Sequence, residues 1–187
     1  MPSELPFARL VSLACHDLRT PLATVYGFAR TLTRSAELDE RSARFVSMIE
    51  QASEQMTELL DELGVAARIV GDRWEPAIRE ADTLELATTD DERVEAHGSG
   101  ATVETEAAEV ARSLRSLALA AVRHGGVERV AWQVDGRELE LAPVEEAARP
   151  VLMGEEVRDL GSLVARLVIE RLGGSVELDG SKLRVRL

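Results

Sequence analysis

Apolar residues in the first third of the chain recur at spacings of three and four. The first run consists of Leu18, Leu22, Val25, Ala29 and Leu32. The second run consists of Phe45, Ile49, Ala52, Met56, Leu59, Leu63 and Ala66. This spacing is typical of helices that pack side by side in a bundle or coiled coil. The short polar segment 35–40 lies between the two runs, so the pattern predicts an antiparallel helical hairpin.

The hairpin needs a second apolar surface to cover it. A lone pair of helices buries little area, and we therefore expect two copies to form a four-helix bundle across a homodimer. Gly71 is a plausible helix stop, and Pro76 does not fit inside a helix. We place the domain boundary here, with a dimerisation hairpin over residues 1–72 and a second domain over 73–187.

The second domain changes from the helical period to a mixture of strands and helices. Segments 83–87 and 93–96 alternate like short strands, and 104–124 and 159–172 have the pattern of helices. Asp135-Gly136 and Asp179-Gly180 each stand between two strand-like runs, which predicts two β-hairpins. The fold class is therefore predicted as α+β, a helical hairpin followed by a small α/β sandwich.

Composition narrows the choice of partners and compartment. The net charge is −12, and so acidic a surface argues against nucleic acid or an anionic membrane as the main partner. A single cysteine excludes an intramolecular disulfide framework and a zinc site made of cysteines alone. The sequence has no apolar run long enough for a membrane span and no signal-peptide pattern at its start. We therefore expect a cytoplasmic protein.

His16 lies on the side of its helix away from the apolar stripe. At about 100° per residue, His16 falls about 160° from Leu18, and Thr20 lies about 40° from His16 on the same face. Asp17 is adjacent in sequence. A neutral imidazole is nucleophilic, a neighbouring carboxylate can fix its tautomer, and a hydroxyl can orient a water or a phosphoryl group. On spacing alone, an ordinary solvated surface histidine remains the alternative.

The segment from His16 to Leu22, HDLRTPL, resembles the histidine box of sensor histidine kinases, and the similarity continues through Tyr26-Gly27-Phe28 and the second helix. The resemblance implies that His16 is the phospho-acceptor and that Asp17 is its acid-base partner. It also implies that Thr20 is the polar residue used when such domains hydrolyse a partner's aspartyl phosphate.

The rest of the chain resembles the ATP-binding domain of the same family only in outline. Residues 112–126 look like the helix that carries the family's magnesium-binding asparagine, and Ala120 stands at that position. The family's aspartate-glycine box is missing, Gly161 alone remains of the second glycine box, and the first helix of the domain is expected to be absent. Arg123 and His124 are expected at a helix C-terminus, where positive charge is favoured.

The resulting prediction is a histidine phosphotransferase of a two-component phosphorelay, with catalytic residues His16, Asp17 and Thr20. It would pass a phosphoryl group between receiver-domain aspartates of response regulators, and a hybrid kinase is a further candidate partner. No cofactor or metal site is expected, since the receiver domain would supply magnesium. The alternatives are an ATP-dependent histidine kinase with a divergent site, and a non-catalytic dimeric scaffold or response-regulator phosphatase.

Overall fold

The structure, a computed structural model, describes residues 7–35 and 38–187. Residues 36 and 37, within the predicted connection of the hairpin, lie outside the described residues. The chain divides into two compact units, Met1–Arg73 and Trp74–Leu187.

The first unit is a hairpin of two long helices, α1 (Phe7–Ser35) and α2 (Glu40–Val70). The helices are antiparallel, because Arg19 of α1 pairs with Asp61 of α2 and the later Tyr26 pairs with the earlier Glu54. Asp39 caps α2 by accepting a hydrogen bond from the Ser42 backbone N–H at 2.8 Å, which lowers the pKa of its carboxyl. Helix α1 continues through Pro21.

The predicted apolar stripe of the hairpin divides into two surfaces. Cys15, Leu22 and Ala29 of α1 are buried, and so is Val46 of α2. The larger apolar members of the two runs, apart from Leu22, are exposed: Leu18, Val25, Leu32, Phe45, Ile49, Met56, Leu59 and Leu63. The described part of the hairpin therefore uses part of its apolar repeat between its own helices and leaves the rest as an apolar face. We call these eight exposed side chains the outer seam.

The second unit contains seven strands and four α-helices in the described range. The strands are β1 (Arg79–Asp82), β2 (Val94–Gly100), β3 (Thr102–Thr105), β4 (Val130–Gly136), β5 (Glu138–Ala142), β6 (Ser175–Asp179) and β7 (Lys182–Arg186). The helices are α3 (Thr83–Ala87), α4 (Ala107–Gly125), α5 (Arg149–Leu152) and α6 (Leu160–Arg171), and a 3-10 turn at Glu146–Ala148 precedes α5.

Five strands form one mixed sheet in the order β2-β4-β5-β7-β6, and β1 and β3 form a separate antiparallel pair. Strands β2 and β4 are parallel, and the remaining neighbours in the large sheet are antiparallel. Alternate residues of the strands are buried with α4 and α6 in one core. Its fully buried members include Leu114, Leu117, Trp132, Leu139, Leu141 and Ile169.

Both predicted β-hairpins are confirmed by the strand pairing. Gly136 is the last residue of β4, where the chain turns into β5, and has a φ of 62°, whereas Gly180 stands in the turn between β6 and β7 with a φ of 60°. Glycine accepts these left-handed values without the steric cost that a side chain would bring. The aspartate-glycine pairs therefore end one strand and begin the return in each hairpin.

The expectation of a strand over residues 83–87 is wrong. Thr83–Ala87 is helical, because the Asp82 side chain accepts hydrogen bonds from the backbone N–H groups of Leu84 and Glu85 and caps a helix there. The strand precedes this helix, at Arg79–Asp82.

Candidate functional site

His16 stands on the exposed side of α1, with 77% of its side chain accessible. Its Nδ1 lies 3.2 Å from Oδ1 of Asp17. An ionised carboxylate can only accept hydrogen bonds, so this contact places the ring hydrogen of a neutral His16 on Nδ1. The lone pair of the imidazole is then on Nε2, where it is available to an incoming electrophile.

Thr20 lies one turn beyond His16 and is also exposed. A shallow surface is lined by His16, Arg19, Thr20, Ala23 and Thr24. The structure therefore brings two of the predicted site residues, His16 and Thr20, to one surface. The third, Asp17, joins them through its contact with the imidazole.

Arg19 connects this surface to α2. Its Nη2 lies 2.6 Å from Oδ1 of Asp61, and 45% and 36% of the two side chains are accessible. An arginine side chain has five N–H donors, so a single contact with Asp61 leaves others available on the His16 side. From the sequence, Arg19 was assigned no role, although it lies within the motif from His16 to Leu22. Asp61 was not identified as its partner.

A second polar contact joins the helices farther along α1. The hydroxyl of Tyr26 donates to Oε1 of Glu54 at 3.0 Å and accepts from Nη1 of Arg30 at 3.3 Å. The hydrogen bond with Glu54 raises the pKa of the Tyr26 hydroxyl. The Arg19–Asp61 ion pair and the Tyr26–Glu54 hydrogen bond hold α1 in register with α2 on the side that carries the histidine.

The family model of the His Kinase A (phospho-acceptor) domain matches residues 8–69. Residues 8–69 are therefore similar in sequence to a histidine kinase phospho-acceptor domain. This similarity agrees with the exposed histidine on α1 and with the antiparallel hairpin that carries it. It also connects the chain with two-component signalling.

Two solved histidine kinases have a fold similar to that of this chain. Full-length ShkA in complex with AMPPNP superimposes with a TM-score of 0.65 at 18% identity, over 94% of this chain and 44% of that one. The Acinetobacter baumannii histidine kinase AdeS superimposes with a TM-score of 0.55 at 15% identity, over 92% of this chain and 96% of that one. This chain therefore spans less than half the length of the ShkA chain. No curated protein matches the sequence.

The second unit has a fold similar to the sheet-and-helix part of these solved histidine kinases. Ala120, at the position where the resemblance expects a magnesium ligand, is fully buried in the core on α4. Gly161 is buried in the first turn of α6. Among residues 7–35 and 38–187, no group of three or more His, Cys, Asp or Glu side chains is placed to hold a metal ion.

The N-terminus of α6 is capped by a carboxylate of the same chain. Asp159 is the N-cap of α6 and accepts a hydrogen bond on Oδ1 from the backbone N–H of Ser162 at 3.0 Å. Its Oδ2 lies 3.0 Å from Nη2 of Arg123 and 3.2 Å from Nε2 of His124. Arg123 and His124 lie in the last turn of α4, as the sequence predicted, and they meet an anion there.

None of the helices in the described part of the chain is long and apolar enough to cross a membrane.

Proposed function

We propose that the protein is a histidine phosphotransferase that relays a phosphoryl group between receiver domains through His16. The observation that carries the proposal is the imidazole of His16, which is exposed on α1 and held at Nδ1 by Asp17. That arrangement leaves Nε2 free to act as a nucleophile toward a group presented by another protein.

Each bond that forms in this transfer is matched by a bond that breaks, so no further reactant is needed. The Nε2 lone pair attacks the phosphorus of an aspartyl phosphate on one receiver domain, and an N–P bond forms as the P–O bond to the aspartyl carboxylate breaks. The carboxylate of the donor is released. A second receiver aspartate then attacks the phosphorus, and the N–P bond breaks to restore His16. Magnesium in this scheme belongs to the acidic pocket of the receiver domain.

ATP independence is part of the proposal, and the second unit supports it. A protein that binds a nucleoside triphosphate needs a ligand for the metal ion together with backbone or cationic donors around the phosphates. Ala120 has no side-chain oxygen to offer a metal ion, and the Asp159 carboxylate already caps the N-terminus of α6. The second unit would then serve as a docking surface for the receiver domain.

The outer seam supports a homodimer. Eight large apolar side chains are exposed along the two-helix hairpin. Burying them against a partner would gain about 25 cal/mol for each Å² of apolar surface removed from water. A second copy presents the same stripe and is self-complementary about a two-fold axis. The dimer would therefore be a four-helix bundle with one His16 on each outer face.

The second candidate function is an ATP-dependent histidine kinase. It is favoured by the shared fold with ShkA, whose structure is described as a complex with AMPPNP. A third candidate is a scaffold or a response-regulator phosphatase, for which Thr20 beside His16 is the supporting feature.

One labelling experiment separates these candidates. The protein is incubated with magnesium and γ-labelled ATP, and in parallel with receiver domains that have been phosphorylated by labelled acetyl phosphate and freed of it. The relay proposal expects label on the protein only in the second incubation. Label from ATP alone would establish the kinase instead. Loss of label from the receiver with none on the protein would establish the phosphatase, and no reaction in either incubation would favour the scaffold.

A further inference from the structure

Arg19 lies on α1 between the buried stripe and the exposed histidine. At about 100° per residue, Arg19 falls about 60° from His16 on one side and about 60° from the buried Leu22 on the other. Residues three apart on a helix are neighbours, with Cβ atoms about 5–6 Å apart. Arg19 and His16 also line the same shallow surface. A group held on the imidazole is therefore within reach of the Arg19 side chain.

Asp61 holds the guanidinium of Arg19 in place without using all of its donors. Nη2 of Arg19 donates to Oδ1 of Asp61 at 2.6 Å. A guanidinium has five N–H donors in a rigid planar fork, so this one contact leaves most of them for a ligand. The Arg19 side chain is 45% accessible, and a ligand can approach it from solvent. Arg19 is thus an anchored cation with donors to spare.

A phosphoryl group arriving at His16 meets negative charge already present. Oδ1 of Asp17 lies 3.2 Å from Nδ1 of the imidazole, and the net charge of the chain is −12. The transition state of phosphoryl transfer spreads further negative charge over the equatorial oxygens. Among the described residues that line this surface, Arg19 is the one with a permanent positive charge. It is therefore the group placed to neutralise these oxygens.

We propose that Arg19 is a catalytic residue whose N–H donors bind the phosphoryl oxygens while the phosphoryl group is transferred to His16. The bond from Nε2 to phosphorus forms as the bond from phosphorus to the leaving group breaks. Arg19 keeps its protons throughout, because a guanidinium is not deprotonated in proteins, and its contribution is electrostatic. The inference rests on His16 as the phospho-acceptor of the proposed function and is independent of which protein is the donor.

Phosphoramidate, a small phosphoryl donor, tests this role without a receiver domain. The Nε2 lone pair attacks its phosphorus, the P–N bond of the donor breaks, and ammonia leaves. The full chain is incubated with labelled phosphoramidate, and label uptake is followed with time. Arg19→Ala should take up label about tenfold to hundredfold more slowly than the unchanged protein. Removing a donor from an enclosed site costs more, roughly hundredfold to thousandfold, because water does not screen the charges there.

Chemical rescue distinguishes a catalytic role from a structural one. Guanidinium ion at about 0.05 M should raise the rate of Arg19→Ala about threefold or more by taking the place of the missing group, at a concentration with little effect on folding. Urea at the same concentration has a similar shape but no charge and should not raise the rate.

Two variants serve as controls. Arg30→Ala removes an arginine about four turns beyond His16 on α1, which donates to the hydroxyl of Tyr26, and it should take up label at the unaltered rate. His16→Ala should take up no label, with or without guanidinium ion.

An unaltered rate in Arg19→Ala would overturn the proposal. A slow rate on which guanidinium ion and urea have the same effect would also overturn it, since a purely structural residue would behave in that way. Transfer from phosphorylated receiver domains to the unchanged protein is measured in parallel. Failure of that transfer, with the phosphoramidate results as expected, would refute the proposed relay and leave the role of Arg19 standing.

Discussion

Nη2 of Arg19 lies 2.6 Å from Oδ1 of Asp61, and this ion pair crosses the hairpin one turn from His16. Both side chains are partly exposed, so the pair adds less than about 1 kcal/mol to stability. Its location gives it a larger effect on geometry, because it fixes the turn of α1 that carries the histidine relative to α2. A receiver domain that docks on both helices would meet His16 at a set distance from its aspartate.

The first prediction concerns this ion pair. Asp61→Asn keeps the size of the side chain and removes the charge that holds Arg19. We expect phosphotransfer to His16 to slow by about threefold to tenfold, because the reacting atoms are less well aligned. The free energy of unfolding should fall by less than about 1 kcal/mol. Single-turnover transfer from a labelled receiver domain and urea unfolding measure the two effects.

The matched control is Glu40→Gln, which breaks the contact between Glu40 and Arg44 near the other end of α2, where the charged atoms are 3.9 Å apart. This variant should transfer at the unaltered rate. An unaltered rate in Asp61→Asn would show that the ion pair does not position His16.

The second prediction separates the two exposed groups that share one surface of α1. His16→Ala should abolish label uptake from a phosphorylated receiver domain, while Thr20→Ala should keep uptake and weaken loss of phosphate to water. The imidazole needs no separate base, whereas a threonine hydroxyl does. Label on the protein should be lost in acid and survive base, as for phosphohistidine. Acid-stable label, or uptake by His16→Ala, would assign the chemistry to another residue.

The third prediction concerns the outer seam. Ile49 and Met56 are each 46% exposed in the single chain. Replacing both with Glu should give monomers or unfolded protein, because the charges would be buried between two copies. Light scattering during size-exclusion chromatography measures the mass. Val157→Glu, at an apolar residue of the second unit that is 73% exposed, should leave the dimer intact. A monomeric mass for the unchanged protein would contradict the dimer.

The fourth prediction is a pH dependence in the second unit. Arg93 donates from Nε and Nη2 to the two carboxylate oxygens of Asp91 and lowers the pKa of Asp91 to about 2. The pKa of an aspartate in an unfolded chain is about 3.9, so the folded chain binds this proton less readily than the unfolded chain. The pair therefore stabilises the fold above about pH 4, and its contribution is lost as the pH falls toward 2.

Asp91→Asn tests this dependence. At pH 7 the variant should be less stable by about 1 kcal/mol, a value limited by the half-exposed Arg93. In urea unfolding, the difference from the unchanged protein should shrink between about pH 4 and about pH 2. Asp90→Asn, at the neighbouring residue, should show a much smaller difference. A constant difference for Asp91→Asn across this range would show that the ion pair is not its cause.

Local patterns in the sequence predicted much of the fold. The three-four spacing predicted both long helices, and the aspartate-glycine pairs marked the turns of both β-hairpins. The error at Thr83–Ala87 arose because a short alternating run is compatible with a strand, while the decisive interaction is a cap from Asp82. The pairing of β1 with β3, and of β2 with β4, depends on contacts between distant segments and has no local signal.

The candidate site was likewise predicted from the sequence only in part. His16, Asp17 and Thr20 come from one turn of one helix, so a helical wheel was sufficient to place His16 and Thr20 on a common face. Asp61 is brought to Arg19 by the antiparallel packing of α1 and α2, and neither residue type nor spacing indicates the pair. Arg123 and His124 were placed correctly at the end of α4, but their common partner Asp159 belongs to another element.

In the proposed homodimer, the stability of the hairpin depends on protein concentration. Leu22 and Ala29 are buried within one chain, whereas Leu18 and Val25 are exposed there and would be buried only by a second copy. Dilution would then remove stabilising contacts without any change in sequence or solvent, and the unfolding temperature of the helices would fall as the concentration falls. In a cell, the number of copies would set how many histidines are held on a rigid helix, so the expression level would itself control the proposed relay.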